Sequence, residues 1–138
     1  MLIVRLFPWA VAIGVLAACA KTISATPPAE TPLTQLAGSE WGLNGYDTPF
    51  IQFGAKGEMN GNGGCNNFGG SYEVNGSRLI VGPIMSTKKA CFGDVMKMET
   101  GFFKALQKAH SFEATHSQLL IFDENNVELL ALKRKDWD

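Results

Sequence analysis

One glycine- and asparagine-rich stretch, from Gly57 to Cys91, most constrains how this chain can fold. Glycine and asparagine tolerate the positive φ angles of tight turns, so their density here favours β structure with many reversals. Asn75-Gly76 lies between two strand-like runs, which is typical of a two-residue β-hairpin turn. The stretch also holds two of the three cysteines of the chain. It therefore predicts antiparallel hairpins that a disulfide could join to a later segment.

Short apolar or alternating segments bounded by turn residues continue this pattern and predict about seven or eight antiparallel strands. The strand-like segments are Ser39–Leu43, Phe50–Phe53, Glu58–Asn60, Gly70–Val74, Arg78–Val81, Phe112–Thr115, Gln118–Phe122 and Val127–Leu132. Ile84–Thr87 is predicted to be extended and to lead into Cys91. Because so many strands must protect their edges, we expect a mainly β (α+β) domain, either a small antiparallel β-barrel-like fold or a strongly twisted sheet. Trp41 is the predicted core anchor of the first strand because of its large area.

The apolar period changes between Asp94 and Ala109, where apolar residues recur at spacings of three and four. This spacing predicts one amphipathic helix of about 14 residues, inserted before the last three strands. Asp94 is its expected N-cap. The polar face is predicted to carry Lys97, Glu99, Lys104 and Lys108.

The first 18 residues have the pattern of a signal peptide, with Arg5 before an apolar run that is shorter than the roughly 20 residues of a membrane span. The run ends in Leu16-Ala17-Ala18-Cys19, which resembles the lipobox of bacterial lipoproteins. That resemblance implies cleavage before Cys19 and lipidation of its sulfur. Ala20 in place of aspartate implies sorting to the outer membrane. A plain secretory signal followed by a coincidental cysteine is the alternative.

Composition divides the rest of the chain into two parts. Residues 19–37 hold the lipidated cysteine and a proline-, serine- and threonine-rich tether without apolar periodicity, and residues 38–138 form the predicted folded domain. A formal net charge of −1 gives no strong field for nucleic acid.

With Cys19 taken by lipid, Cys65 and Cys91 remain as an even pair in an oxidising compartment, which favours a disulfide between them. Two free thiols are the main alternative. A metal site is disfavoured because neither histidine lies at ligand spacing from these cysteines.

An enzymatic site would have to use Cys65 or Cys91 with His110 or His116 and Asp123, and a disulfide would remove the nucleophile. The glycine-rich stretch lacks the Gly-Lys-Ser/Thr ending of a phosphate loop and the carboxylates of a calcium loop. We therefore predict no catalytic residues, no cofactor and no metal.

A set of spaced motifs across the whole predicted domain resembles the META domain, the HslJ-type family of heat-inducible lipoproteins of bacterial envelopes. The matching residues are Gly64-Cys65-Asn66, Phe68, Gly70, Tyr72, Leu79, Gly82-Pro83-Ile84, Thr87, Ala90-Cys91, Met98-Glu99, Phe102, Leu106, Leu119-Leu120-Ile121 and Leu129. Phe92 departs from the pattern, since the family often has proline after this cysteine. The resemblance implies a compact β-barrel-like domain with one helix, an envelope location and a link to stress tolerance.

These observations predict a non-enzymatic envelope lipoprotein, anchored in the outer membrane and facing the periplasm, that acts as a stress-related binding or chaperone-like module. Its expected partners are the membrane, through the lipid anchor, and an envelope protein or a lipid-like ligand. A structural docking lipoprotein, or an inhibitor of an envelope protease or lysozyme, is the alternative.

Overall fold

A computed structural model of the protein describes residues 35–136. The predicted signal peptide (1–18), Cys19 and residues 20–34 of the predicted tether lie outside the described residues. Within that part of the chain, no helix is long and apolar enough to cross a membrane.

Nine strands and one helix make up the described domain. The strands are β1 (Ser39–Gly42), β2 (Phe50–Phe53), β3 (Glu58–Asn62), β4 (Asn67–Asn75), β5 (Arg78–Val81), β6 (Met85–Ser86), β7 (Ser111–Ala114), β8 (Gln118–Phe122) and β9 (Glu128–Arg134), and the helix is α1 (Asp94–Gln107). The mainly β fold and the position of the helix before the last three strands are as predicted. The Asn75-Gly76 prediction is confirmed too, because Asn75 pairs with Arg78 across a turn in which Gly76 has a φ of 62°.

The nine strands form one antiparallel sheet that closes on itself. Successive hairpins join β1, β2, β3, β4 and β5, while β7, β8 and β9 form a second meander. β9 pairs with β1, and β5 pairs with β7 at Arg78 and Ser111, so eight strands complete the ring. The short β6 pairs with the first half of β4. Closure removes most of the unpaired strand edges, which is the reason for expecting a ring in a chain of short strands.

Side chains fill the interior of the ring. Buried residues alternate with less buried ones along β2, β3, β7 and β8, so one face of each of these strands points inward. Trp41 is fully buried, which confirms it as a core residue. Other fully buried side chains come from every part of the sheet and from the helix, and include Ile51, Phe53, Met59, Leu79, Leu106, Leu119, Ile121 and Leu132.

Helix α1 packs against the turn between β3 and β4. The rings of Phe102 and Phe103 lie edge-on to Phe68, with centroids 5.9 and 5.2 Å away. A Cβ atom on Gly63 would lie 2.7 Å from the Phe103 ring, so this glycine permits the helix to approach the turn closely.

Three details of the sequence prediction are wrong. The N-cap of α1 is Gly93, with a φ of 75°, and Asp94 is the first helical residue and makes no side-chain cap hydrogen bond. Glu99 lies in the interior with 4% of its surface exposed rather than on the polar face. Leu36, assigned to the tether, is 1% exposed in the core, so the packed domain reaches beyond residue 38 towards the N-terminus.

Candidate functional site

The candidate site is a polar cluster where the β3–β4 turn, the segment before the helix and the helix itself meet. Five residues form it, namely Cys65, Asn66, Thr87, Lys89 and Glu99, and we call it the Asn66–Glu99 network. It lies within the glycine-rich stretch that dominates the sequence, and Glu99 reaches it from the second turn of α1.

A disulfide joins Cys65 in the β3–β4 turn to Cys91 just before the helix, with Cα atoms 6.0 Å apart. This pairing is the one predicted from the cysteine count. It fixes the segment between β6 and α1 against the start of β4.

Asn66 is the centre of the network and is almost fully buried. Its Nδ2 donates to Glu99 Oε1 at 2.7 Å and to the Lys89 carbonyl at 3.0 Å. Its Oδ1 accepts from Thr87 Oγ1 at 2.8 Å and from the Lys89 amide at 2.7 Å. Because Asn66 contacts both backbone groups of Lys89, it holds this segment in the manner of a neighbouring strand.

Glu99 completes the network by accepting three hydrogen bonds. Oε2 accepts from the backbone N–H groups of Cys65 at 2.9 Å and of Asn66 at 2.5 Å, and Oε1 accepts from the Asn66 side chain. Burial raises the pKa of Glu99, but these hydrogen bonds, helped by the charge of Lys88, outweigh it and leave that pKa below its ordinary value. The lowered pKa favours the carboxylate form of Glu99, which two successive backbone amides stabilise by hydrogen bonding.

The residues of the hypothetical Cys/His site are not brought together. Both cysteines are in the disulfide, and neither lines the open depression of about 360 Å³ that contains His110 and Asp123. The Asp123 carboxylate instead accepts from the amides of Asn125 and Val127 and so stabilises the β8–β9 turn. His116 lies in the exposed turn between β7 and β8.

The described residues contain no cluster of three or more histidine, cysteine, aspartate or glutamate side chains that could hold a metal ion. Another depression, of about 500 Å³, is open to solvent beside Leu36, Gly57 and Tyr72. Every buried polar side-chain atom of the described part has a hydrogen-bond partner.

Two features of this region were missed in the sequence. Glu99 stands at helical spacing from Val95, Phe102 and Leu106, so the same apolar stripe that predicted the helix also places this carboxylate on its inner face. Phe92 was noted only as a departure from a pattern, yet its side chain is 98% exposed directly after the disulfide.

The model of the META domain family matches residues 32–136, which include the ring, the helix and the Asn66–Glu99 network. The chain belongs to the META domain family. A search of curated proteins returns no match.

Two NMR structures of other proteins share the fold of this META domain. One is an NMR structure of a protein from Burkholderia xenovorans, with a TM-score of 0.62 and 19% identity over 73% of this chain and 84% of that one. A second NMR structure has a TM-score of 0.54 and 20% identity over 72% of this chain and 90% of that one. A DUF4847 family protein from Bacteroides vulgatus has a TM-score of 0.49 and 18% identity over 64% of this chain and 60% of that one.

Proposed function

We propose that this META domain protein is a non-enzymatic lipoprotein of the bacterial envelope, held at the outer membrane by lipid on Cys19 and facing the periplasm. Its domain acts there as a stress-related binding or chaperone-like module. The Cys65–Cys91 disulfide is the observation that carries this proposal. Such bonds persist in oxidising compartments, and this one leaves Cys19 as the remaining cysteine of the chain, directly after a signal-like apolar run.

A binding role rather than a catalytic one is supported by how the reactive groups of the site are used. Both thiols are consumed in the disulfide, and both oxygens of the buried carboxylate accept hydrogen bonds from the β3–β4 turn. Such an arrangement stabilises a shape and leaves neither a thiolate nor a carboxylate free for substrate.

Metabolic labelling with an alkyne-bearing fatty acid tests the anchor. The wild-type protein should be labelled and should fractionate with the outer membrane, whereas Cys19→Ser should lose the label. The matched control is the double variant Cys65→Ser/Cys91→Ser. It should keep the label, because these two cysteines form the disulfide of the domain and carry no lipid. Equal labelling of Cys19→Ser and wild type would contradict the proposal.

The stress-related role has its own test, the survival of a deletion strain after heat shock. Wild-type protein should restore survival, and Cys19→Ser should restore it less well, because the domain would no longer be held at its place of action. A deletion strain that survives heat as well as its parent would remove the stress-related part of the proposal and leave the anchor intact.

A further inference from the structure

The segment from β6 to the residue before the glycine N-cap of the helix exposes large apolar side chains beside positive charges. Phe92 is 98% exposed and Met85 is 78% exposed, and the exposed Lys88 and Lys89 lie between them. Single exposed apolar residues are ordinary, but two of them flank an exposed lysine pair within eight residues, which makes this segment a candidate contact surface. We call residues 85–92 the docking loop.

Hydrogen bonds tie the backbone of the docking loop to the domain, although the side chains of Met85, Lys88, Lys89 and Phe92 are exposed. The Thr87 amide donates to the Asn67 carbonyl at 3.0 Å, and Asn66 bonds both backbone groups of Lys89. The disulfide then fixes Cys91 next to Phe92. Because this conformation is already formed, docking would lose little conformational entropy. The Asn66–Glu99 network thus also fixes the conformation in which the docking loop exposes these side chains.

The charge of this region is locally positive although the whole chain has a net charge of −1. Nearby, Asp94 pairs with Lys97 at 3.4 Å, and the carboxylate of Glu99 is buried in the network. Neither Lys88 nor Lys89 takes part in the ion pairs of the described residues. The loop therefore presents two exposed lysines between two exposed apolar side chains, and the charge of one of them, Lys88, also acts on the buried Glu99 carboxylate.

We propose that the docking loop binds the anionic phospholipid headgroups of the membrane to which the protein is tethered. The lysines would contact the headgroup phosphates, while Phe92 and Met85 would enter the boundary between headgroups and acyl chains. This inference rests on the proposed lipid anchor, which keeps the loop at high local concentration near the bilayer, so a weak contact suffices.

The geometry of the chain permits this contact. The chain enters the ring beside the β2–β3 turn, where the Gly38 amide donates to Phe53, whereas the docking loop lies beside the β3–β4 turn at the other end of β3. The longest strand, β4, spans roughly 30 Å, and the 17 residues from Ala20 to Leu36 can extend to roughly 55 Å. Either end of the ring can therefore reach the membrane.

Photo-crosslinking of the full chain tests the proposal. Phe92 is replaced by p-benzoylphenylalanine, and the purified lipidated protein is reconstituted into vesicles of phosphatidylcholine with or without phosphatidylglycerol. Mass spectrometry should find lipid adducts at position 92, more of them with phosphatidylglycerol and fewer at high salt. Adding Lys88→Gln and Lys89→Gln should weaken docking roughly fivefold per lysine.

The matched control places the same photo-reactive group at Val127, another exposed apolar residue, in the turn between β8 and β9 and flanked by acidic residues. Equal or greater lipid labelling at position 127 would overturn the proposal, as would vesicle-bound protein without adducts at position 92. Protein adducts at position 92 in intact cells, in place of lipid adducts, would assign the loop to a protein partner and overturn it too. A failure of the proposed lipid anchor can be distinguished from a failure of the docking proposal, because the protein would then lack the fatty-acid label at Cys19.

Discussion

Glu99 accepts hydrogen bonds from the backbone N–H of Asn66 through one carboxylate oxygen and from the Asn66 side chain through the other. This pairing joins the helix to the β3–β4 turn across 33 residues of chain. Hydrogen bonds to a buried charged group are stronger than neutral ones, and removing one partner leaves the other unsatisfied. The hydrogen bonds between Glu99 and Asn66 therefore help to hold the helix against the ring of strands.

Glu99→Gln should lower the free energy of unfolding by about 2 kcal/mol, because the amide nitrogen of glutamine would face the Asn66 Nδ2 donor. Urea denaturation at neutral pH measures the change. Glu113→Gln on the exposed face of β7 is the matched control and should stay within about 0.5 kcal/mol of wild type. Equal stabilities for the two variants would show that the Glu99 carboxylate is not a structural tie.

The lowered pKa of Glu99 makes this contribution dependent on pH. A carboxyl group whose pKa is lower in the folded state stabilises the protein above its unfolded pKa and loses that effect as the pH falls through the folded pKa. Wild type should thus lose stability below about pH 4.3, the ordinary pKa of glutamate, more steeply than Glu99→Gln. Urea midpoints over a pH series measure the difference. The hydrogen bond with Arg134 lowers the pKa of Asp136 as well. Because both proteins contain Asp136, its contribution cancels when their stabilities are compared.

Much of the fold could be predicted because local signals determine it. The Asn75-Gly76 turn specifies its own hairpin, and the apolar stripe from Val95 to Leu106 specifies the helix. Ring closure is different, since the contacts of β1 with β9 and of β5 with β7 join segments far apart in sequence and leave no local pattern.

The candidate site was harder to predict for a related reason. A glutamate normally lies on the solvent face of a helix, and only the backbone amides of Cys65 and Asn66, supplied by a distant turn, make its burial favourable. Sequence spacing placed Glu99 on the inner face, but residue type argued against that position. The exposure of Phe92 was likewise not predictable from hydrophobic periodicity. Phe92 lies between the disulfide-bonded Cys91 and the N-cap Gly93, outside any strand or helix.

Removing the disulfide with Cys65→Ala/Cys91→Ala should destabilise the domain by about 3.5 kcal/mol, the loop-entropy value for a separation of 26 residues. Urea denaturation of the variant and of the oxidised wild type measures the loss. Alkylation of the native wild-type protein provides the control, because neither cysteine should react before reduction. Two reactive thiols in the native protein would contradict the pairing.

Trp41→Ala should cost about 3–5 kcal/mol, since the side chain is fully buried in the ring. Trp41 Nε1 also donates to Ser39 Oγ at 2.6 Å, and the Arg134 guanidinium lies 5.3 Å from the centroid of the Trp41 side-chain ring. Trp41→Phe keeps most of the apolar area and should lose less. Thermal melting compares the two, and an unchanged melting temperature for Trp41→Ala would place Trp41 outside the core.

Asn66→Asp should reverse the sign of the pH dependence. The new carboxylate oxygen would replace Nδ2 and face two acceptors, Glu99 Oε1 and the Lys89 carbonyl. Two buried carboxylates at this distance cannot both ionise, so one folded-state pKa rises above its unfolded value. A raised pKa stabilises the fold below the unfolded pKa, and the stability is lost as the pH rises through the folded value. The variant should therefore be much less stable than wild type at neutral pH and approach it in acid.

Urea midpoints of Asn66→Asp and wild type across the acidic range measure this reversal. Asn66→Ala is the control, because it removes the same side-chain hydrogen bonds without adding a charge. Its deficit should shrink in acid only by the contribution of the bond from Asn66 to the Glu99 carboxylate, and so by less than the deficit of Asn66→Asp. If Asn66→Asp stayed equally destabilised from neutral to acidic pH, its defect would come from lost hydrogen bonds alone. Glu99 would then not be the neighbouring anion that the 2.7 Å contact with Asn66 indicates.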